Sequence, residues 1–367
     1  MDKARHVLGI SGGKDSAALA IYLHKLYPHL DIEYYCCDTE KELEETYQVI
    51  DRLEEYLGKR ITRLKAVEDT HVEQFDYFLR MYGGYLPSSN ARWCTQRLKL
   101  VPFERFVSTD PVISYVGIRE DENREAYISS KENIQSIFPF RKNIWSGDVI
   151  DKVLNNSNKE FFAECIRDNS STYRKETAIE LALKPITPSF QQKRKLSAFH
   201  DLSIIEFNQA VFKFLKTTNY PLALEDDFPL LNNDEGLIRA DIFRMLEESG
   251  VGVPEYYKKI TFTVDGETGE YARSRSGCYF CFFQQKIEWV WLYEQHPDLF
   301  AKAMEYEKDG YTWMQGESLL ELTQSERITQ IKRDIIKRSK KNSKQKSNLL
   351  IDLLDDTESV GCAACFI

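Results

Sequence analysis

The stretch Val7-Leu8-Gly9-Ile10-Ser11-Gly12-Gly13-Lys14-Asp15-Ser16 decides the fold of this chain. It opens with a short apolar run, which predicts a buried strand. After the two glycines, Leu19, Tyr22, Leu23 and Leu26 recur at the spacing of one helix face. A strand, a tight glycine turn and a helix in this order bind anions in many proteins, because backbone N–H groups and the helix dipole then point at one place. We therefore expect an anion site at residues 11–16.

The six residues of this turn suit a phosphate ligand. The glycines let an anion approach the backbone, the lysine adds a point charge, and the aspartate offers a carboxylate to the Mg²⁺ that accompanies phosphates. The spacing differs from that of a Walker A loop, and a glycine turn without a ligand is the alternative. The predicted nucleotide ligands are Ser11, Gly12, Gly13, Lys14, Asp15 and Ser16, of which Lys14 and Asp15 also act in catalysis.

Composition narrows the class of protein. The chain has 367 residues, enough for two domains or for one large domain with an insertion. Neither a membrane-spanning apolar run nor a signal-peptide core is visible, so we expect a cytoplasmic protein without a membrane partner. In that compartment eight cysteines indicate metal ligands, catalytic thiols or buried thiols rather than disulfides. A net charge of −9 argues against a surface that binds nucleic acid all round.

Further strand-like runs alternate with helical patterns. They lie at residues 32–37, 61–64 and 112–117. The alternation predicts an α/β fold with a doubly wound, mostly parallel sheet. Ligands of such sheets bind at the carboxyl ends of the strands, which places residues 11–16, 38–39 and 117–119 along one rim.

The chain divides into four regions by composition. We expect a nucleotide-binding α/β domain at residues 1–140, a helical insertion or small subdomain at 141–233, and a helical part with a Cys-x-x-Cys site at 234–338. The tail, residues 339–367, is first basic and then contains Cys362 and Cys365. Residues 332–346 carry eight Lys or Arg and one acid, a run that indicates a solvated helix end or a nucleic-acid contact.

Four stretches together resemble one family. They are Ser-Gly-Gly-Lys-Asp-Ser at 11–16, Arg-Trp-Cys-Thr-Gln-Arg-Leu-Lys at 92–99, Gly-Ile-Arg-Glu-Asp-Glu at 117–122 with Arg124, and Arg-Ser-Arg-Ser-Gly-Cys-Tyr-Phe-Cys at 273–281. The first is similar to the PP-loop of the ATP pyrophosphatases. The whole set resembles the PAPS reductase-like family of the PP-loop superfamily, and within it the DndC-type ATP pyrophosphatases of DNA phosphorothioation and defence systems. The resemblance covers roughly residues 5–140 and 235–338.

The resemblance implies the adenine nucleotide α hydrolase-like fold, with ATP and Mg²⁺ as ligands. By this likeness Asp38 and Thr39 lie on the adenosine side of the nucleotide, although they also suit a turn that caps the next helix. Arg119 and Arg124 resemble the family's phosphate or substrate arginines, and a guanidinium fork suits such an anion. On residue types alone, Arg124 could equally pair with a nearby acid on one helix face.

The cysteines suggest a metal centre whose composition stays open. Cys278-x-x-Cys281 has the spacing that lets two thiolates face one metal. Cys94 resembles the cluster cysteine of the assimilatory reductases, so Cys94, Cys278 and Cys281 would hold a [4Fe–4S] cluster with one open iron. The alternatives are zinc, held by Cys278 and Cys281 with Cys362 and Cys365, and free thiols.

Kinship implies an enzyme that adenylates a substrate, converting ATP to AMP and pyrophosphate. The expected purpose is sulfur insertion into nucleic acid in a phosphorothioation or phage-defence pathway, with DNA favoured over transfer RNA. Expected partners are a cysteine desulfurase or other defence-system proteins. Two alternatives remain: a thiol-dependent reductase of a PAPS-type sulfonucleotide that uses Cys362 or Cys365, and a non-catalytic ATP-sensing subunit of a defence complex.

Overall fold

The computed structural model describes residues 3–68, 70–122, 129, 131–169, 174–308 and 310–344. Strands alternate with helices as far as residue 115, and helices predominate after residue 137. The strands are β1 (Arg5–Gly9), β2 (Ile32–Cys37), β3 (Ile61–Leu64), β4 (Val112–Tyr115), β5 (Ile134–Ile137), β6 (Ile260–Val264) and β7 (Glu267–Tyr271).

Fourteen α-helices lie in the described part of the chain. They are α1 (Lys14–Leu26), α2 (Glu44–Leu57), α3 (Gln74–Met81), α4 (Trp93–Thr95), α5 (Val101–Val107), α6 (Gly147–Val153), α7 (Lys159–Asn169), α8 (Lys175–Leu183), α9 (Gln192–Leu215), α10 (Arg239–Glu248), α11 (Lys286–Gln295), α12 (Pro297–Glu305), α13 (Leu319–Leu322) and α14 (Ser325–Lys344). A π-helical turn, Gln96–Leu100, joins α4 to α5. None of the described helices combines the length and the apolar character needed to cross a membrane.

The first five strands form one parallel sheet in the order β3-β2-β1-β4-β5. In the register of this sheet, Arg5 of β1 lies opposite Val112 of β4, which in turn lies opposite Ile134 of β5. The order reverses between β1 and β4, the kind of position beside which α/β proteins bind ligands. The α/β prediction is confirmed, and β2 and β3 have the expected bounds.

Three features of the sheets differ from expectation. The strand predicted at 112–117 ends at Tyr115, and β5 was not predicted. The hairpin of β6 and β7 was also missed, although Asp265-Gly266 between them is a strong turn signal. Both residues have positive φ, 53° and 77°, which a two-residue type I′ turn requires.

Contacts divide the chain into two compact units. The first comprises residues 1–9, 18–34 and 107–242, and the second comprises residues 10–17, 35–106 and 243–367. The four regions predicted along the chain follow other boundaries and remain a prediction about its organisation.

In the first unit, β1, β4 and β5 bury nearly all of their side chains. Helices α7, α8 and α9 pack on one another. Their core is aromatic: the ring of Phe199 lies 5.7 Å from that of Phe162 and 5.2 Å from that of Phe207.

The second unit has a larger aromatic core. The ring of Phe280 lies 4.5 Å from that of Phe75 and 4.8 Å from that of Trp313. Trp289 and Trp291 are buried in this core, as the sequence predicts. Helix α14 packs Ile331 and Ile336 against it, and their burial explains why a strongly basic segment forms an ordered helix.

Candidate active site

The turn after β1 is closed around its two glycines. Gly12 has a φ of +67°, and a Cβ there would lie 2.3 Å from Cγ2 of Thr46 and 3.0 Å from the carbonyl oxygen of the same residue. A Cβ on Gly13 would lie 2.4 Å from the hydroxyl of Ser276. Both positions therefore require glycine, for the backbone conformation at Gly12 and for the close approach at Gly13.

Serine hydroxyls hold the turn in shape. The N–H of Ser11 donates to Oγ of Ser16 at 3.1 Å, and that hydroxyl donates to the carbonyl of Gly13 at 3.3 Å. The Ser11 hydroxyl lies 3.2 Å from Oγ of Ser16 and 3.4 Å from Oγ of Ser276. The two predicted serines thus define the turn.

Lys14 and Asp15 begin α1 as a buried pair of opposite charge. The ammonium of Lys14 lies 3.1 Å from Oδ2 of Asp15, and the exposed fractions of the two residues are 2% and 7%. Tyr257, which the sequence did not indicate, covers them. Its ring centroid lies 4.9 Å from Nζ of Lys14, and its hydroxyl lies 3.5 Å from the backbone N of Lys14. The pair places a cation and a metal-binding carboxylate beside the glycine turn.

The residues after β2 form a hydrogen-bonded corner. Oδ1 of Asp38 accepts hydrogen bonds from the hydroxyl of Tyr47 at 3.0 Å and from the N–H of Glu40 at 2.9 Å. The hydroxyl of Thr39 donates to Oε1 of Glu42 at 2.8 Å and lies 3.2 Å from the thiol sulfur of Cys278. Asp38 and Thr39 therefore belong to a hydrogen-bonded turn, but they do not cap the next helix, because the N-cap of α2 is Leu43, without a side-chain capping bond. Their role toward a nucleotide stays a prediction.

One pocket joins the turn after β1 to this corner. Its lining includes Ser11 and Asp38 from the predicted site. It also includes residues outside the predicted set of nucleotide ligands, namely Cys36, Cys37, Glu42, Thr46, Tyr47, Lys99, Ser276 and Gly277. Lys99 and Ser276 belong to two of the three other motifs, so the motifs themselves were the available signal. No comparable signal marks Glu42.

The segment from Arg273 to Cys278 is anchored on several sides. The N–H and hydroxyl of Ser274 donate to Oε1 of Glu288 at 2.7 and 2.8 Å. The N–H of Arg273 donates to the carbonyl of Tyr256 at 2.8 Å, and its Nη2 donates to the carbonyl of Cys278 at 3.1 Å. These bonds fix the backbone that presents Ser276 to the glycine turn.

The guanidinium of Arg273 is buried, with an exposed fraction of 2% for the residue. Its Nε and Nη1 have no hydrogen-bond partner in the described part of the chain. The charge is faced by the rings of Tyr256 and Trp291, at 5.9 and 6.0 Å from Cζ. Two donors of this buried guanidinium are therefore available to a ligand.

Arg119 belongs to the first unit and is also buried. Its Nε lies 2.9 Å from a carboxylate oxygen of Asp121, and its Nη1 lies 2.6 Å from one of Glu122. A substrate anion would have to compete with these two carboxylates, so the assigned phosphate role stays a prediction. Arg124 lies outside the described residues.

The cysteines do not assemble into a metal centre in the described part of the chain. There, no group of three or more His, Cys, Asp or Glu side chains is placed to hold a metal ion. Cys94 and Cys278 both pack against the aromatic core, and Cys278 donates its thiol hydrogen toward Oε1 of Glu42 at 3.9 Å. Cys362 and Cys365 lie outside the described residues. The geometry thus does not fit a centre of Cys94, Cys278 and Cys281, and both the [4Fe–4S] cluster and zinc stay untested predictions.

Burial raises the pKa of three cysteine thiols. It raises the pKa of Cys278 well above its ordinary value, with the nearby Glu42 carboxylate adding to the effect. Burial likewise raises the pKa of Cys36 and of Cys37 to about 12, as expected for thiols at the end of a core strand. The pKa of the Glu42 carboxyl is raised by burial, and the charge of Lys99 opposes this rise.

Together, the parallel sheet and the Ser-Gly-Gly-Lys-Asp-Ser turn after its first strand define an α/β nucleotide-binding domain consistent with the PP-loop superfamily. Residues 5–144 match the family model described as the phosphoadenosine phosphosulfate reductase domain. The match confirms the resemblance to the PAPS reductase-like family over that part of the chain. The closer kinship with DndC-type proteins stays a prediction.

Two individual proteins are similar over part of the chain. An uncharacterized protein of Methanocaldococcus jannaschii is 32% identical over 145 residues, which are 36% of this chain and 28% of that protein. The crystal structure of phosphoadenylyl-sulfate (PAPS) reductase from Candida auris, a phosphate complex, is 16% identical, with a TM-score of 0.29. That likeness covers 39% of this chain and 66% of the reductase chain. Since the chain spans little more than a quarter of the curated relative, the activity of the whole protein is a matter for proposal.

Proposed function

We propose that the protein is an ATP pyrophosphatase that adenylates a substrate, for sulfur insertion into nucleic acid. The observation that carries this proposal is the buried pair of Lys14 and Asp15, placed at the start of α1 directly after the glycine turn. A cation and a metal-binding carboxylate beside backbone N–H groups suit the triphosphate of ATP and its Mg²⁺.

In this mechanism the turn and Lys14 hold the β and γ phosphates, and Asp15 would hold Mg²⁺. Magnesium usually takes one or two carboxylates together with phosphate oxygens, so Asp15 fits without a group of three protein ligands. When bound, the ion neutralises charge on the departing pyrophosphate. A substrate oxygen forms a bond to the α phosphorus, in line with the leaving pyrophosphate. The bond from the α phosphorus to the oxygen that bridges it to the β phosphorus breaks. The protein contributes chiefly positioning and charge stabilisation.

Sulfur insertion would follow when a sulfur donor displaces AMP from the adenylated substrate. No step is assigned to an iron–sulfur cluster, because the described cysteines do not form its site. The support for a nucleic-acid substrate is the family resemblance and the basic end of α14, where Lys337 and Arg338 are exposed. Other cations of this run are paired: Lys332 with Glu294 at 2.6 Å, and Arg333 with Asp265.

The test is pyrophosphate release from ATP and Mg²⁺, with DNA and a sulfur donor supplied. We expect Asp15→Ala and the isosteric Asp15→Asn to lower the rate at least about 100-fold, the order seen when a charge-stabilising group is removed. Asp51→Ala is the matched control, because Asp51 lies on α2 with 63% of its side chain exposed. Undiminished release by folded Asp15 variants would falsify the assignment. ATP binding without release under every condition would favour the sensing subunit.

A second candidate function is reduction of a PAPS-type sulfonucleotide. The family model that matches residues 5–144 favours it, since that family is described by this activity. This function requires sulfite to form from the sulfonucleotide in the presence of a thiol, without ATP turnover, and it requires Cys362 or Cys365. Sulfite formation that persists in a Cys362→Ser, Cys365→Ser double variant would exclude those thiols as the nucleophile.

A further inference from the structure

Glu42 brings an unsatisfied carboxylate oxygen to the pocket beside the glycine turn. Its Oε1 accepts the Thr39 hydroxyl hydrogen at 2.8 Å and faces the Cys278 thiol at 3.9 Å. Its Oε2 is buried and has no hydrogen-bond partner in the part of the chain that the structure describes. Buried carboxylate oxygens are almost always hydrogen-bonded, so this atom indicates a missing donor.

The pocket's lining shows which kind of ligand group could supply that donor. Among the described residues that line it, Asp38 and Glu42 are acidic and Lys99 is basic. The hydrogen bonds that the Asp38 carboxylate accepts come from Glu40 and Tyr47, which are close to it in the sequence. An ionised carboxylate accepts hydrogen bonds and donates none, so its partner must carry an O–H or N–H group.

This inference rests on the proposed function. If an adenine nucleotide occupies the site, the position of Glu42 indicates which O–H or N–H group of that nucleotide is the donor. Ser11 of the glycine turn and Glu42 line the same pocket. When the turn holds the β and γ phosphates, the α phosphate links them to the ribose, whose 2′ and 3′ hydroxyls are donors. In dinucleotide-binding sheets an acidic residue likewise accepts a hydrogen bond from a ribose hydroxyl and disfavours a phosphate there.

We propose that Glu42 accepts a hydrogen bond from a ribose hydroxyl of the bound adenine nucleotide and thereby selects nucleotides whose ribose is not phosphorylated. A phosphate in place of that hydroxyl removes the donor and sets negative charge against a buried carboxylate. Like charges juxtaposed in a desolvated site are strongly unfavourable. Where that hydroxyl is the 3′ one, Glu42 excludes PAPS-type nucleotides, which carry a 3′ phosphate, and admits ATP.

The experiment compares dissociation constants by calorimetry in EDTA, so that metal binding plays no part. The probes are AMP, 2′-deoxy-AMP, 3′-deoxy-AMP and the 2′,5′- and 3′,5′-bisphosphates of adenosine. For the wild-type protein we expect one deoxynucleotide and the corresponding bisphosphate to bind about tenfold or more weakly than AMP, as for loss of one hydrogen bond to a charged group. In Glu42→Gln, both differences should shrink about tenfold. Glu44→Gln should keep the wild-type ratios, since Glu44 is exposed in the first turn of α2.

The outcomes separate this inference from the proposed function. Equal binding of AMP and both bisphosphates by the wild-type protein overturns the inference, whatever the stability of Glu42→Gln. Unchanged ratios in a folded Glu42→Gln protein overturn it as well. Selective AMP binding without pyrophosphate release from ATP overturns the proposed function alone. Failure of every adenine nucleotide to bind overturns both.

Discussion

The hydroxyl oxygen of Ser276 lies 3.4 Å from that of Ser11, and 265 positions of sequence separate the two residues. Ser11 opens the glycine turn after β1, whereas Ser276 belongs to the segment that leads into Cys278. The contact explains how two distant motifs serve one pocket, since both serines line it. A ligand bound at the turn would therefore contact side chains from two segments that are far apart in the sequence.

Replacing Gly12 tests the closure of the turn. We expect Gly12→Ala to lower the free energy of unfolding for two reasons. The positive φ costs about 1–2 kcal/mol. Overlap of the added methyl group with Thr46 costs about 1–3 kcal/mol more. Gly58→Ala is the matched control, because Gly58 has a φ of +59° and open space around it. Urea unfolding of both variants isolates the steric contribution, and equal losses would show that Thr46 yields without cost.

Removing the charge of Arg273 and removing that of Arg119 should have different effects on the free energy of unfolding. We expect Arg273→Met to leave the free energy of unfolding unchanged or to raise it by up to about 2 kcal/mol, because two of its buried donors lack partners in the described part of the chain. Arg119→Met should lower it by about 3–5 kcal/mol, since Asp121 and Glu122 would lose their partner. Denaturant unfolding measures both. A large loss in Arg273→Met would reveal an acceptor that the described residues do not include.

Low pH should lower the free energy of unfolding, because Glu317 becomes protonated. Hydrogen bonds and charge from Arg327 and Lys286 lower the pKa of Glu317 from 4.5 to about 2. Because the folded-state pKa is depressed, this stabilisation is complete above the unfolded pKa and is lost as the pH falls from about 4.5 toward about 2. Allowing for solvent screening at the half-exposed Lys286, we expect about 1–2 kcal/mol.

The measurement is the free energy of unfolding of wild-type protein minus that of Glu317→Gln, as a function of pH. This difference should be constant above about pH 5 and should vanish near pH 2. Glu326→Gln is the control, because Glu326 is exposed on α14. A difference that is independent of pH would contradict the assignment to this carboxylate.

Metal removal should not unfold the protein. Structural zinc supplies about 10–16 kcal/mol to the folds that depend on it, and such folds are lost in chelators. The described residues contain no group of three metal ligands, and the second unit has an extensive aromatic core instead. We therefore expect the melting temperature to be the same with and without EDTA and phenanthroline.

Iron, sulfide and zinc analysis of anaerobically purified protein complements that measurement. About four irons and four sulfides per chain would support the predicted cluster and would require the cysteines to converge beyond what the described geometry shows. One zinc per chain, with a melting temperature that falls on chelation, would support the structural zinc alternative instead.

The sequence predicted the features that depend on local pattern. The apolar run, the glycine pair and the helical spacing specified the first strand, the turn and α1, and a similar pattern gave β2 and β3. Strand β5 was missed because two of its four buried residues, Gln135 and Ser136, are polar, so it shows no apolar run. The hairpin was missed although Asp265-Gly266 carries the expected turn chemistry.

The candidate site also has one part that the local sequence specifies and one part that only tertiary contacts specify. The sequence by itself determined the glycine turn and the pair of Lys14 and Asp15, because their spacing is set by covalent geometry along a few residues. Only the tertiary structure decided that Tyr257 covers Lys14, that Ser276 meets Ser11, and that Glu42 holds a spare oxygen in the pocket. Those contacts arise from burial of the aromatic core, a sum over many distant side chains that no local pattern records.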